Sequence, residues 1–400
     1  MNTDLAPSRI RSWDLITGLP LAGAEEIVDL GVLPVPGLFF PSAALAAGAM
    51  SSVRLVRART SGLLQLDRDL NAALYRYYKS GRVNPAHLDH VERTADELAR
   101  TYPTSARILE IGGGAGHLIR ALYKRGFRQL HVIDPSGENQ VGQEFQSIQG
   151  HFPGELGSGD LRFDVIIGQH FLEHSAEPVA VLRAAAQLLT PGGQVWIEVP
   201  DIDASATTEQ GEWLSIIYAL HSAYFDRTTL AYAAACAGLD LVQCRTVDHY
   251  GKSLVANFAR RPAGESAVSP AAVRPEGAAA VQAAIRAYFR HLAEFGHSLP
   301  PGILCWGAAE RCLTVLGGCM AGGFKPGPIC DSNPDLRGLY LSGMEQPVLG
   351  IKDLPGKIDA VLILSPRNAT AIVRANRALF SSEAQVYVPF AGRRGIGELL

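Results

Sequence analysis

The run Arg107-Ile108-Leu109-Glu110-Ile111-Gly112-Gly113-Gly114-Ala115-Gly116-His117-Leu118 constrains this chain more than any other segment. An apolar strand leads to an acidic residue. Glycines follow at alternate positions 112, 114 and 116, then a helix-like run that ends near Arg125-Gly126. Glycines spaced in this way let the backbone turn sharply from strand to helix and let a ligand approach the main chain. The spacing E-x-G-x-G-x-G is not the dinucleotide form G-x-G-x-x-G. A tight turn without a ligand, or a nucleotide site of another kind, has the same local pattern, so the neighbouring segments decide.

Those segments alternate. A helix is expected over 87–102, a strand over 107–111, a helix to Arg125 and a strand over 129–134. A strand over 163–168, a helix over 178–189, a Pro191-Gly192-Gly193 turn and a strand over 194–199 follow. This predicts an α/β fold, a parallel sheet covered by helices on both faces. Residues 1–85 read as irregular, with short strand-like runs such as Val53-Arg54-Leu55-Val56-Arg57 and a tyrosine cluster at Tyr75, Tyr77 and Tyr78. The core spans 86–260. A Pro-, Gly- and Ser-containing linker covers 261–276. A smaller αβ unit over 277–400 starts with a helix over 277–295, a strand over 303–306, the turn Gly307-Ala308-Ala309 and a helix to Leu316. Its further strands are expected at 328–331, 360–364 and 385–389.

Composition narrows the function classes. A net charge of −3 with no basic block gives no footprint for nucleic acid. The opening Met1-Asn2-Thr3-Asp4 lacks the layout of a signal peptide, and the apolar stretch 32–50 is broken by Pro34, Pro36 and Pro41. The expectation is a cytoplasmic protein without a membrane span. All six cysteines lie beyond residue 235 with no C-x-x-C pair, which fits free buried thiols. Cys312 and Cys319 share a helix face and are expected in the core.

The glycine loop resembles the first motif of class I S-adenosylmethionine (SAM)-dependent methyltransferases, which cradles the amino-acid end of SAM. The resemblance implies cofactor contacts from Glu110, Gly112, Gly114 and Gly116. It also calls for an acidic side chain at the end of the next strand to accept hydrogen bonds from the ribose hydroxyls, and Asp134 stands there. Phe163-Asp164-Val165-Ile166-Ile167 delivers Gly168-Gln169-His170-Phe171-Leu172-Glu173-His174 to the carboxyl edge of the sheet, where ligands of open α/β sheets bind. Gln169 and His170 are expected to face the cofactor or the transfer centre. Glu173 and His174 lack further donors at helical spacing, so they are expected to cap and orient the following helix and no metal site is assigned. The third strand, between Gln146 and Asp160, is poorly defined, and Phe152 is a weak candidate for reading the adenine.

Nearly the whole chain resembles the three-part C-methyltransferases that act on nucleotide-linked keto-deoxysugars, some in antibiotic biosynthesis. In that family a small zinc domain precedes a Rossmann-like SAM domain, and a second Rossmann-like unit follows. The matching segments are Asp29-Leu30-Gly31 with Pro34, Gly62-Leu63-Leu64-Gln65-Leu66, Tyr75-Arg76-Tyr77-Tyr78-Lys79-Ser80 and Ile217-Tyr218-Ala219-Leu220-His221-Ser222-Ala223-Tyr224-Phe225. Gly251-Lys252-Ser253-Leu254, Trp306-Gly307-Ala308-Ala309-Glu310-Arg311 and Cys330-Asp331-Ser332-Asn333-Pro334 complete the order. Two departures stand out. Ala58 and Ser61 occupy one of the family's zinc C-x-x-C pairs, so no zinc is expected and the N-terminal unit should be stabilised by packing alone. In the family's H-E-H, Ala219 and Leu220 replace the first histidine and the glutamate, leaving His221.

Methyl transfer to carbon needs a proton removed beside a carbonyl, and histidine suits that task near neutral pH. The resemblance makes His221 the base, Tyr218 its polar neighbour and Tyr77 a residue that holds the sugar or stabilises the enolate. Arg311, in place of a family lysine, pairs with a diphosphate. The partner implied is a nucleotide-linked small molecule; the oligomeric state is open. An O- or N-methyltransferase of secondary metabolism, or a non-catalytic SAM-binding subunit, are the competing readings.

Overall fold

The computed structural model describes residues 8–79, 85–135, 145–156, 161–262, 264–265, 278–354 and 356–399. Most of the expected linker, 261–276, lies outside them. Strands β1 (Glu25–Pro34), β2 (Met50–Arg57) and β3 (Leu64–Leu66) form an antiparallel sheet with the two-residue strand Ala223–Tyr224. The N-terminal region is therefore more regular than expected. β1 carries two register shifts against β2, at Glu26/Val28 and Asp29/Val32, which break the simple alternation a sequence reader looks for.

Nor is this unit held by packing alone. Asp14 is wholly buried. Its carboxylate accepts from the Ile16 amide at 2.9 Å, from Ser61 N at 3.1 Å and Oγ at 2.9 Å, and from Thr60 Oγ1 at 2.5 Å. One side chain thus ties the 14–17 turn to the 58–63 turn, which includes both positions of that cysteine pair. A buried carboxylate needs such donors, because an unpaired one costs far more than it returns.

The core follows the predicted alternation. Helix α1 (Pro85–Thr101) leads to β4 (Arg107–Ile111), α2 (His117–Lys124), β5 (Gln129–Asp134) and β6 (Gln146–Gln149). Then come β7 (Phe163–Gln169), α3 (Pro178–Leu188), β8 (Leu189–Pro200), α4 (Arg227–Cys236), β9 (Leu239–Val247) and β10 (Ser253–Arg260). The sheet order is β9-β10-β8-β7-β4-β5-β6, with β8 to β6 parallel and the β9 and β10 ladders antiparallel. Neighbours in β4 and β7 pack on opposite faces. Ile108, Val165 and Ile167 join one apolar cluster, and Leu109, Ile111 and Ile166 the other. Burying each such side chain stabilises the sheet by roughly 1.5–3 kcal/mol. The expected turn at 191–193 is instead a bulge within β8: Phe163 pairs with Leu189 and Val165 with Gln194, and Gly192 takes φ +81°.

A second sheet follows helix α5 (Ala278–His297): β11 (Leu304–Trp306), α6 (Glu310–Ala321), β12 (Ile329–Asp331), β13 (Leu349–Gly350), β14 (Ile358–Ile363), β15 (Phe380–Val388) and β16 (Gly392–Gly395). Its order is β13-β12-β11-β14-β15-β16, parallel except for the last pair. Helices α5 and α6 touch closely because Gly296 lies on the Cys319 backbone, where a Cβ would come within 2.2 Å. Cys312 and Cys319 are buried in that core, as the shared helix face predicts. One apolar cluster joins the N-terminal sheet, the 202–224 segment and helices α5 and α6, so Ile217 to Leu220 sit where all three regions meet.

Candidate active site

The glycine spacing has a direct structural cause. Gly112, Gly114 and Gly116 all have positive φ (+70°, +49° and +71°), a conformation costly for any residue with a Cβ. The intervening Gly113 is needed for space: a Cβ there would lie 2.4 Å from Val132 Cγ2. Gly112 N donates to Ile133 O at 2.8 Å, and Gly114 N donates to Asp134 Oδ2 at 2.8 Å. Asp134 is thus fixed to the loop it was expected to serve. Among the described residues, a Cβ on Gly114 would meet nothing within 4 Å, so these leave space beside the loop. Glu110 is buried beneath it with Oε2 unpartnered, and burial pushes its pKa up to about 8. A polar loop with open space, an aspartate at the strand end and an unsatisfied buried carboxyl fits a ligand with ribose hydroxyls and an amino group. Phe152, the weak adenine candidate, is buried in the core cluster.

Gln169 and His170 end β7 at the carboxyl edge and converge on Glu198 of β8. Gln169 Nε2 donates to Glu198 Oε2 at 2.7 Å, and His170 Nε2 is 3.4 Å from Glu198 Oε1. His170 takes φ +47°, a strained setting for a non-glycine residue and one that recurs at functional sites. Burial opposes its charge, but the flanking carboxylates Glu173 and Glu198 outweigh that and raise its pKa to about 9.

Glu173 and His174 do not cap the following helix. Helix α3 starts after Glu177 with no side-chain cap, and Glu173 turns inward instead. It is buried, its backbone carbonyl accepts from Ser222 N at 2.7 Å, and neither carboxylate oxygen receives a well-aligned hydrogen bond. His174 Nδ1 is 3.0 Å from Leu220 O, and its ring lies 4.6 Å from that of His221. Glu173, His174 and His221 present donor atoms within 4.8 Å of one another. The missing third donor was thus supplied by a segment 47 residues further along the chain.

His221 is buried, and its Nε2 lies 2.9 Å from the Tyr218 hydroxyl. That hydroxyl donates to Glu310 Oε2 at 3.3 Å. With Tyr218 donating to the carboxylate, His221 carries its hydrogen on Nε2, and among the described residues the buried Nδ1 meets no well-aligned hydrogen-bond partner. Burial, reinforced by His174, holds the His221 pKa well below the ordinary histidine value, so the imidazole is neutral. The arrangement resembles a nucleophile-base-orienter chain in reverse: a carboxylate orients a phenol, which orients a base.

The other candidates are placed differently. Tyr77 packs on Phe40 with ring centroids 4.7 Å apart, under the Arg76 guanidinium. Its neighbours reach the site instead: Tyr75 stands edge-on to His174, and Tyr78 lies near Glu310, where burial and the Glu310 charge raise the Tyr78 pKa well above its usual value. In this 3₁₀ turn, residues 75 and 78 share a face that 77 does not. Arg311 lies over the Trp213 ring at 5.0 Å and donates to Tyr250 O. Arg367 stacks on the same indole at 3.7 Å, which gathers two guanidiniums at one spot. Glu310, Trp213, Arg367, Glu198 and His249 escaped the sequence reading. Glu310 lies within the Trp306–Arg311 run and Glu198 within the expected strand 194–199, but neither position carries a chemical signal of its own there.

Residues 86–244 match the family model described as "Methyltransferase domain". This segment is a methyltransferase domain. Within it the chain is similar to the ubiquinone biosynthesis O-methyltransferase of Xanthomonas axonopodis pv. citri (strain 306), at 30% identity over 155 residues, covering 35% of this chain and 63% of the relative. The enzyme of the same name from Leptothrix cholodnii is 27% identical over 130 residues, covering 29% and 51%. The chain thus spans about half to just under two thirds of the length of these curated relatives. Among solved structures, the CcbJ methyltransferase from Streptomyces caelestis aligns with a TM-score of 0.36 and 16% identity, over 48% of this chain and 96% of that one. The methyltransferase domain accounts for the Rossmann-like core. No helix among the described residues is long and apolar enough to cross a membrane.

Proposed function

We propose that the chain is a SAM-dependent methyltransferase that places a methyl group on carbon beside a carbonyl, in a nucleotide-linked keto-deoxysugar or a related small metabolite. The observation that carries this reading is the free, buried Nδ1 of a neutral His221, oriented through Tyr218 by Glu310. When bound, SAM supplies an electrophilic methyl on a sulfonium. Asp134 would accept from its ribose hydroxyls, the Gly112–Gly116 backbone would border its amino-acid end, and Glu110 would offer the amino group a partner. His221 takes the acidic hydrogen of the acceptor on Nδ1. Glu173, a buried carboxylate with a donor atom within 4.8 Å of a His221 ring nitrogen, stabilises the imidazolium that forms. Tyr75 and Tyr78 line the same space, in the role first given to Tyr77.

Arg311 and Arg367 on Trp213 support a diphosphate-bearing acceptor, since paired guanidiniums match phosphate geometry. On this reading residues 1–85 and 277–400 close the acceptor site over the 86–260 core. The resemblance to enzymes named O-methyltransferases supports a competing reading, transfer to oxygen in place of carbon, because a neutral histidine also deprotonates a hydroxyl.

The test is hydrogen exchange. In D2O without SAM, a panel of nucleotide-linked keto sugars is incubated with enzyme and read by mass spectrometry. Wild-type protein should exchange the hydrogen beside the carbonyl of its acceptor and His221→Ala should not; exchange by the variant at the wild-type rate removes His221 as base.

A further inference from the structure

Four of the eleven histidines gather around one buried carboxylate at the carboxyl edge of the core sheet, on the Glu198 side of His170. His90 Nε2 lies 2.9 Å from Glu198 Oε2, and His249 Nδ1 lies 2.6 Å from Glu198 Oε1. All three side chains are buried, and their donor atoms lie within 4.8 Å of one another. His90 and His249 stack face to face, ring centroids 3.7 Å apart and 11° from parallel. They come from helix α1, the end of β8 and the turn between β9 and β10, so three separate segments present nitrogen or oxygen to one point. Among the described residues no lysine or arginine hydrogen-bonds Glu198; imidazoles and the Gln169 amide surround it.

We infer that His90, Glu198 and His249 form a binding site for a divalent transition ion that prefers nitrogen, of the Zn²⁺ class. Two imidazoles and a carboxylate are a ligand set such ions accept. Tetrahedral bonds of about 2.0–2.1 Å put neighbouring donors about 3.3 Å apart, against 2.9 Å from His90 Nε2 and 2.6 Å from His249 Nδ1 to the Glu198 oxygens, so the two ring nitrogens draw back by about 0.4 and 0.7 Å. The surroundings match what metal-bound histidines require, because the far nitrogen of such a ring is itself held. His249 Nε2 lies 3.1 Å from His87 Nδ1. His87 and His90 are three apart on α1 and so share a face, one nitrogen placed against the carboxylate and the other against its neighbouring ligand. His170 Nε2, 3.2 Å from His249 Nδ1, stands beside the set, where it can pair with a water in an open coordination position. The ion would fasten α1 to the strand ends that border the acceptor site.

Metal-stripped full-length protein titrated with Co²⁺ alone tests this. The expected result is one Co²⁺ per chain with a visible d–d band that Zn²⁺ displaces. The band should vanish in the H90A/H249A double variant, and His87→Asn should weaken binding about 10- to 100-fold. If the double variant folds poorly by circular dichroism, Glu198→Gln, which preserves volume, gives the same test by loss of the band. Absence of stoichiometric Co²⁺ in the wild type overturns the inference. So does full binding by a folded H90A/H249A or Glu198→Gln protein, which would move the ion to another donor set such as Glu173, His174 and His221.

Discussion

The Tyr218 hydroxyl stands 2.9 Å from His221 Nε2 and fixes which nitrogen of that ring is free. The phenol donates to Glu310 Oε2, so it accepts from His221 and leaves Nδ1 to take a proton. His221→Ala should lower kcat by about 10²–10⁴-fold with SAM affinity nearly unchanged, the range expected for loss of a general base. Tyr218→Phe should cost about tenfold, since one orienting hydrogen bond is worth about 1 kcal/mol or somewhat more. Steady-state kinetics with calorimetric SAM titration check both.

The same histidine sets the acid limb of the pH profile. Its pKa is held below the ordinary value of 6.5 by burial, and the base works only when neutral. Activity should therefore persist below pH 6.5 before it falls. A limb centred at or above 6.5 in kcat/KM would show that another group is titrating.

Asp134 accepts the Gly114 amide at the end of β5, and on the proposed reading it also holds the ribose of SAM. Asp134→Ala should weaken SAM binding by about 10- to 100-fold, the loss of hydrogen bonds to a charged group at about 1.5–3 kcal/mol. Isothermal titration gives the ratio directly.

Glu110 links stability to pH. Its carboxyl has a pKa of about 8 in the folded chain against an ordinary 4.5, so the folded state keeps a proton that the unfolded chain releases. Its contribution is fully present below pH 4.5 and is lost as pH rises through about 8. In the absence of SAM, urea unfolding should show stability falling over that window by on the order of a few kcal/mol. Glu110→Gln should flatten the slope.

Much of the core was legible because its signals are local. The glycines at 112, 114 and 116 declare positive φ, and apolar runs such as 163–167 declare a buried parallel strand. Asp134 was found because strand order places it one strand away from the loop. The acceptor side was not legible in the same way. Glu173 looked like a helix cap because its partners, His170 and the 218–222 segment, are brought to it only by tertiary folding. The motif at 75–80 points to Tyr77, and a motif does not say which face of a 3₁₀ turn points inward. His90, Glu198 and His249 span 160 positions and share no spacing rule beyond the His87–His90 pair.

Asp14 carries the N-terminal unit's main polar cross-link. Asp14→Ala leaves the Ser61 and Thr60 donors without their acceptor, and should destabilise that unit by about 2–4 kcal/mol. Limited proteolysis between residues 8 and 70 should accelerate accordingly, while Ser61→Ala, which removes one donor, should cost less.

The atom that receives the methyl group separates base-generated enolate chemistry from transfer to a heteroatom. Turnover with methyl-¹³C-labelled SAM and a panel of nucleotide-linked keto sugars, followed by carbon-correlated NMR of the product, reports the atom that receives the label. The expected product carries a labelled methyl bonded to a carbon adjacent to the carbonyl, with none formed by His221→Ala. A label found on oxygen or nitrogen, or carbon methylation that survives the loss of His221, would contradict enolate chemistry at His221.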